Sequence, residues 1–519
     1  MENPLPDDRF GLVRVRWKEL FRSKVNTVVP WDRWDFVALV IGILVVAWVF
    51  ALKLHTFYHL GYSGDLFLSV QAARSWLEGK GLLHDNCFGN VLVIHTYLLL
   101  LPLGLIAKPF GAPGLLLVLA ASVGVTYFYS TRVLRLLGVA GLITIIASGA
   151  LLLSPLSVAF YQEAGHGFHV ETLAPALCLM MFYFLLRQRM VPSIATALLI
   201  ISVKEDAAIA AAIVAIVAGV ETWISAPGKP WRSRLNWSAA ITVLLSISAI
   251  PVLLAISSWQ APTTYARHSL DRLGVVAPGT LSSPGALFVF VASNVAHWLG
   301  SNVVLSWFWI MIVGSFGTIL LRPYYLPVGI LATLVAWLVN RNDLLWAPRF
   351  FTTEALLWCI TLLGFASIAR AAVRDGKWAG GALLLATGIV IVVLSAAAQF
   401  ALVPKYARGA YLFRPITVYS LPEQQQADAV FSQYVRESKP DEPVVASPML
   451  FRYAHDRDLF WLNRLRGRPA PAWILWDSGY DYAPFQISSN TTNTASGIRM
   501  EDYAVVDRRG RFVLLKKKT

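Results

Sequence analysis

Charge is scarce in this 519-residue chain: Asp, Glu, Lys and Arg together account for 14% of it, against about 25% in an ordinary soluble domain. With 56% hydrophobic residues and a mean hydropathy of +0.58, a soluble globular chain is excluded in favour of a polytopic membrane protein. Cysteine is almost absent. The three present, Cys87, Cys178 and Cys359, are too few and too scattered for a disulfide framework or a zinc site. Acidic residues are outnumbered 30 to 44 by Lys and Arg, leaving a formal charge of +14. In a soluble protein that excess would point to nucleic acid. Here basic cytoplasmic loops and attraction to anionic lipid account for it, and no nucleic-acid partner is expected. There is no internal repeat of the kind that many transporters carry. The N-terminus also lacks the apolar core and small-residue cleavage site of a signal peptide, so the first apolar run is expected to be a retained anchor.

Residues 1–33 form a basic juxtamembrane segment, with Arg9, Arg14, Arg16, Lys18, Arg22, Lys24 and Arg33, expected to lie on the cytoplasmic leaflet as an amphipathic helix. Trp31 and Trp34 mark the interface, and Asp35–Leu54 is the first span. The apolar run Val91–Ala107, interrupted by Pro102, decides the topology. If it crossed the bilayer, the basic loops at Arg132/Arg135, Arg187/Arg189, Arg232/Arg234, Arg322 and Arg370/Arg374 would all face outward. Placed along the outer interface, it leaves every one of them cytoplasmic, as positive-inside loops require.

Spans then follow at 113–131, 139–160, 171–186, 191–204, 207–223, 237–256, 303–321, 325–339, 354–370 and 379–402, about eleven in all. The membrane domain is therefore 34–402, with a large first outer loop at 55–112. In residues 403–519 charge density rises and short alternating runs appear. A helix at Pro422–Ser438, strands at Pro443–Ser447 and Ala472–Trp476, and a terminal hairpin of Tyr503–Asp507 with Phe512–Lys517 make a small extracytoplasmic α/β domain.

An ionised side chain at mid-membrane costs roughly 3 kcal/mol or more, so polar groups breaking apolar runs are expected to line a protein cavity. Two such interruptions stand out. One, between Leu151 and the next span, carries Glu163, His166, His169 and Glu171; the other is Lys204-Glu205-Asp206, between the apolar runs Ile194–Val203 and Ala207–Val217. Lys204 can hold a phosphate as a compact cation; equally, the three charges can pair structurally. Arg349, beside Trp346 and Phe350, suits a phosphate contact or a headgroup anchor. Asp65 follows the first span at the start of a predicted helix, Leu66–Leu77. It is either that helix's N-cap or a carboxylate presented as general base or metal ligand. The metal signal is weak, for no H-E-x-x-H pattern is present.

Asp65-Leu66-Phe67 with Gln71, then Phe168-His169-Val170-Glu171, Val203-Lys204-Glu205-Asp206-Ala207 and the late segments Ser447–Tyr453 and Tyr503–Lys517 resemble a prokaryotic predicted-membrane-protein family (domain of unknown function 2079). That family in turn is similar to integral-membrane glycosyltransferases of the C-type (GT-C) fold. The resemblance implies an all-α polytopic GT-C-like membrane domain in the cytoplasmic membrane of a bacterium or archaeon. It also implies a polyprenyl-phosphate-sugar donor and an extracytoplasmic glycan, lipid or protein acceptor. Asp65 would then take the acceptor proton or, with Glu163, hold a divalent cation such as Mg or Mn. His166, His169, Glu171, Glu205 and Asp206 would orient sugar or acceptor, and Lys204 and Arg349 would neutralise the leaving phosphate. A flippase for lipid-linked sugars and a non-catalytic envelope-assembly subunit are the alternatives.

Overall fold

The computed structural model describes residues 25–62, 64–86, 89–93, 95–153, 167–204, 207–260, 322–325, 351–374, 418–439, 442–460, 470–479 and 500–518, with isolated positions between 285 and 318. The expected amphipathic segment before residue 25, and all but isolated residues of the spans expected at 303–321, 325–339 and 379–402, lie outside them. Among the described residues the protein is mainly helical. Of the described helices, three are long and apolar enough to cross a membrane: Arg33–Tyr58, Leu100–Leu136 and Ala207–Ile224. The chain divides into two compact units.

The first unit comprises Met1–Val46, Ala121–Gln162 and Glu171–Arg408. It receives the N-terminal part of α1 (Arg33–Tyr58) and the C-terminal part of α3 (Leu100–Leu136). It continues through α4 (Gly141–Leu152), α5 (Ala174–Leu186), α6 (Met190–Ile201), α7 (Ala207–Ile224), α8 (Trp237–Gln260) and α9 (Phe351–Arg374). The 26 residues of α1 give a rod of about 39 Å at 1.5 Å per residue, ample for a hydrocarbon layer of about 30 Å. The centre of the unit is α7, which packs against α5, α6, α8 and α9. Its buried face is built from Ala208, Ala211, Val214, Ala215 and Ala218, small side chains that let helix backbones approach closely where lipid supplies no hydrophobic drive. Asn236 accepts the Ala239 N–H at the start of α8 and donates to the Leu185 carbonyl at 2.8 Å, tying α8 to the end of α5.

At the start of α1, Asp35 is buried and forms an ion pair with Arg132 of α3 at 2.6 Å. The sequence reading treats Asp35 as the lip of the first span and Arg132 as a loop cation. In the structure both are withdrawn into the protein, because each neutralises the other.

The second unit comprises Ala47–Ala120, Glu163–Val170 and Gly409–Thr519. After α1 comes α2 (Asp65–Arg74), continued by a 3-10 turn, Ser75–Glu78. A two-residue ribbon follows, β1 (His84–Asp85) with β2 (Gly89–Asn90). Helix α3 is broken at Gly111, whose φ of 57° and ψ of −139° lie far from helical values, with Pro109 and Pro113 on either side. The break separates Leu100–Phe110 from the helix that continues to Leu136, so the apolar run before Gly111 is a helix of its own. It is held to the α2 region: Trp76 Nε1 donates to the Leu101 carbonyl at 3.0 Å and Lys108 Nζ to the Leu77 carbonyl at 3.1 Å. Gly104 lies so close to the Ala73 backbone that a Cβ would overlap it.

The C-terminal residues form a five-stranded sheet, ordered β4-β3-β5-β7-β6, from β3 (Pro443–Ala446), β4 (Asp458–Phe460), β5 (Trp473–Asp477), β6 (Tyr503–Arg509) and β7 (Phe512–Lys517). The pairs β3/β4 and β3/β5 are parallel; β5/β7 and the β6/β7 hairpin are antiparallel. Helix α10 (Leu421–Glu437) packs on β6 and β7. The expected helix, two strands and hairpin are therefore present, and β4 is the strand that hydropathy did not reveal. Three residues are too few to show alternation.

At the start of α10 the Ser420 N–H and Oγ–H both donate to the Glu423 carboxylate at 2.8 Å, and Arg511 approaches it at 3.4 Å. The Ser420 backbone bond first, then the Ser420 hydroxyl and Arg511, hold the Glu423 carboxyl below its ordinary value. A lowered carboxyl contributes stability above its unfolded pKa and loses it as pH falls through the folded value. Below about pH 4 the first turn of α10 should therefore fray, Glu423 having an unfolded pKa of about 4.3. Amide exchange at Gln424–Gln426, corrected for its intrinsic pH dependence, should show this loss in the wild type and a flatter profile in Glu423→Gln. Superimposable profiles would remove Glu423 as the cause.

Candidate active site

Two polar pairs lie where the sequence places its candidate residues, one in each unit. In the second unit the local geometry begins at Gly64, with φ 54° and ψ −97°, a combination closed to residues bearing a Cβ except under strain. The chain turns there and enters α2 at the next residue. Asp65 is thus the first residue inside the helix, and Gly64 occupies the cap position. The N-cap reading of Asp65 is corrected accordingly, because the turn belongs to the glycine. Leu66 and Phe67, both buried, anchor this first turn.

The Asp65 carboxylate meets His169, whose Nε2–H donates to Oδ2 at 2.6 Å. A glycine sets the geometry on this side too. Gly167 has φ +85°, and a Cβ there would stand 3.0 Å from Leu66 Cβ and Tyr62 Cγ. Phe168 is fully buried, so His169 is presented between a buried anchor and the turn of Val170–Leu173. Gly167→Ala should cost about 1–2 kcal/mol for the left-handed backbone alone. The new methyl also meets Leu66, which should displace His169 and reduce activity with it. Thermal unfolding checks the first part; a variant as stable as the wild type would show that this backbone is not strained.

The pair remains reachable, with side-chain exposures of 34% for Asp65 and 26% for His169. A short charge-assisted bond between carboxylate and imidazole fixes the orientation of both groups. With Nε2 as donor, the basic lone pair of the imidazole is on Nδ1. Such a pair can receive a proton from a hydroxyl brought to it.

In the first unit, Lys204 Nζ lies 3.5 Å from Glu171 Oε1, with side-chain exposures of 9% and 13%. Helix α6 ends at Ile201, α7 begins at Ala207, and the Ala207 N–H donates to the Lys204 carbonyl at 3.1 Å. The expected interruption is thus present. The 12 residues of α6 span about 18 Å, well short of a hydrocarbon layer. Lys204 pairs with Glu171; the structural alternative, in which Lys204, Glu205 and Asp206 pair with one another, involves two residues outside the described ones. In sequence only Val170 separates the histidine that meets Asp65 from the glutamate that meets Lys204.

Glu163, His166, Glu205, Asp206 and Arg349 lie outside the described residues. Among the described residues, no three His, Cys, Asp or Glu side chains converge as metal ligands; Asp65 and His169 offer one oxygen and one nitrogen donor. Mg takes oxygen donors, so this pair alone does not fit it, and no step below runs through a metal. Sequence reasoning overlooked Gly167. The signal was there, in a glycine two residues before His169.

Apolar helices of membrane length, breaks that carry paired charges and a separate sheet define a polytopic membrane protein with an α/β appendage. The chain belongs to the family described as Predicted membrane protein (DUF2079), whose model matches residues 58–453. No curated protein matches it. Among solved structures it is similar to the oligosaccharyltransferase of Archaeoglobus fulgidus in the apo form, with 12% identity and a TM-score of 0.41. It is also similar to the archaeal oligosaccharyltransferase AglB of that organism in complex with an inhibitory peptide and a dolichol-phosphate, with 13% identity and a TM-score of 0.37. Each match covers 82% of this chain and 64% of the other, so the chain spans just under two thirds of the length of those proteins.

Proposed function

We propose that this protein is an integral-membrane glycosyltransferase that moves a sugar from a polyprenyl-phosphate donor to an acceptor on the extracytoplasmic face. The observation that carries the reading is the Asp65–His169 pair, a partly exposed carboxylate oriented by an imidazole at 2.6 Å. The acceptor hydroxyl gives its proton to Asp65 as its oxygen bonds to the anomeric carbon of the sugar. The bond from that carbon to the phosphate oxygen breaks, and the electron pair leaves on polyprenyl phosphate. His169 holds the carboxylate in place. In this proposal Lys204, poised against Glu171, and Arg349 neutralise the leaving phosphate, while His166, Glu205 and Asp206 orient sugar or acceptor. A divalent cation, Mg or Mn, belongs to the proposal only with Glu163 added to Asp65, and it would supply charge stabilisation at the phosphate.

Incubation of the purified, reconstituted protein with polyprenyl-phosphate sugars and an acceptor extract tests the reading. Release of polyprenyl phosphate with label appearing in the acceptor is the expected result, and a chelator added to the same assay tests the cation. Movement of donor across the bilayer without release would support the flippase instead, and would overturn the enzyme.

The proposed orientation has the C-terminal sheet outside and the loop around Arg232 inside. An impermeant thiol reagent applied to intact cells should label Arg436→Cys and spare Arg232→Cys until the membrane is opened. The reverse pattern would invert the map.

A further inference from the structure

We infer that the C-terminal sheet is the positioning element of Asp65, acting through Gln71; this rests on the reading of Asp65 as the proton acceptor. Phe67, Gln71 and Arg74 recur at i, i+4 and i+7, hence on one face of α2, and all three are buried. Each meets the C-terminal part of the second unit. The Phe67 ring stands edge-on to Phe451, centroids 5.4 Å apart. Gln71 Nε2 donates to the Leu459 carbonyl at 2.8 Å, and Arg74 Nη2 donates to the Arg457 carbonyl at 3.2 Å. Leu459 lies on β4, an edge strand of the sheet, and its carbonyl also accepts from Asn86 Nδ2 at 3.1 Å. Gln71 is used at both ends, since its Oε1 accepts the Asn86 N–H at 3.1 Å.

Side-chain amides thus cap the sheet edge, a place where another strand would otherwise pair. Apolar packing tolerates small slips of a helix along its axis. A buried amide with a fixed donor and a fixed acceptor does not, because a slip leaves both unsatisfied. On the other side of Asp65, the Arg452 guanidinium bonds the Tyr58 carbonyl at the end of α1 and lies over the Tyr58 and Tyr453 rings, 5.2 Å from each centroid. Asp65 therefore sits in a segment held at both ends by the residues that lead into and form the sheet. Gln71, Asn86 and Arg452 are positioning residues.

The test uses the full-length protein. In an Asp65→Cys/His169→Cys background, a short bis-methanethiosulfonate reports the spacing of the two positions without any need for activity. Adding Gln71→Ala should slow this cross-linking several-fold, while Arg436→Ala, exposed on α10, leaves it unchanged. In the otherwise native chain, Gln71→Ala should lower kcat by about 100-fold, the scale of a 1 Å misplacement, with donor KM within about twofold. If Gln71→Ala does not fold, Asn86→Ala, which removes the second amide from the same carbonyl, takes its place. Unchanged cross-linking and kcat, with Asp65→Asn inactive, would overturn the inference and leave the function standing. Slowed cross-linking with Asp65→Asn fully active would leave the positioning and overturn the function.

Discussion

Asp65→Asn should lower the turnover number for sugar transfer by about 10²–10⁴-fold, the usual range for loss of a general base, with thermal unfolding close to that of the wild type. The structure sharpens this expectation. Since Gly64 holds the cap position, the substitution leaves the N-cap residue itself unchanged. The new amide oxygen can still accept from His169 Nε2, so the local geometry should survive. What disappears is the group able to take a proton. His169→Gln is the informative companion: it removes the orienting imidazole and keeps the carboxylate, so it should be impaired less than Asp65→Asn. If Asp65→Asn keeps more than about a tenth of wild-type turnover, well above the expected loss, Asp65 is not the base. The carboxylate would then have to be sought among Glu163, Glu171, Glu205 and Asp206.

Arg132→Met should strongly destabilise the first unit. Arg132 Nη1 lies 2.6 Å from Asp35 Oδ1, with side-chain exposures of 2% and 0%. Its Nη2 donates to the Val29 carbonyl at 3.2 Å and to the Tyr183 hydroxyl at 3.1 Å. The guanidinium also lies 5.2 Å from the Trp31 ring centroid. Removing one partner of a buried ion pair leaves the other charge uncompensated, which typically costs about 3–5 kcal/mol. Replacing both partners with apolar residues of similar volume is often nearly neutral, so Asp35→Leu/Arg132→Met should recover much of what the single change loses. Denaturant titration in a mild detergent would measure both. A single variant within about 1 kcal/mol of wild type, far below the cost of an orphaned buried charge, would mean that water reaches Asp35.

The two cases show where sequence reasoning carried and where it stopped. Hydropathy located α1, the span after Gly111 and the paired helices α6 and α7 with their charged break, since a lipid environment imposes long apolar runs and penalises exceptions. Period and turn residues located α10, β3, β5 and the terminal hairpin, because alternation and glycine placement are local properties of a chain. Asp65, His169, Glu171 and Lys204 were conspicuous for a similar reason: polar groups beside apolar runs need an explanation in place.

Which of these side chains meet was not legible. Asp65 joins His169 across 104 positions of sequence, and Lys204 joins Glu171 by an approach that no local pattern encodes. The cap reading failed because the φ of a glycine is invisible until the chain is folded. Gln71, noticed only as part of a motif, owes its role to a carbonyl 388 residues away. Local preference depends on neighbours along the chain, whereas the pairing of charges and amides depends on which segments the folded protein brings within about 3 Å of each other, the reach of a hydrogen bond.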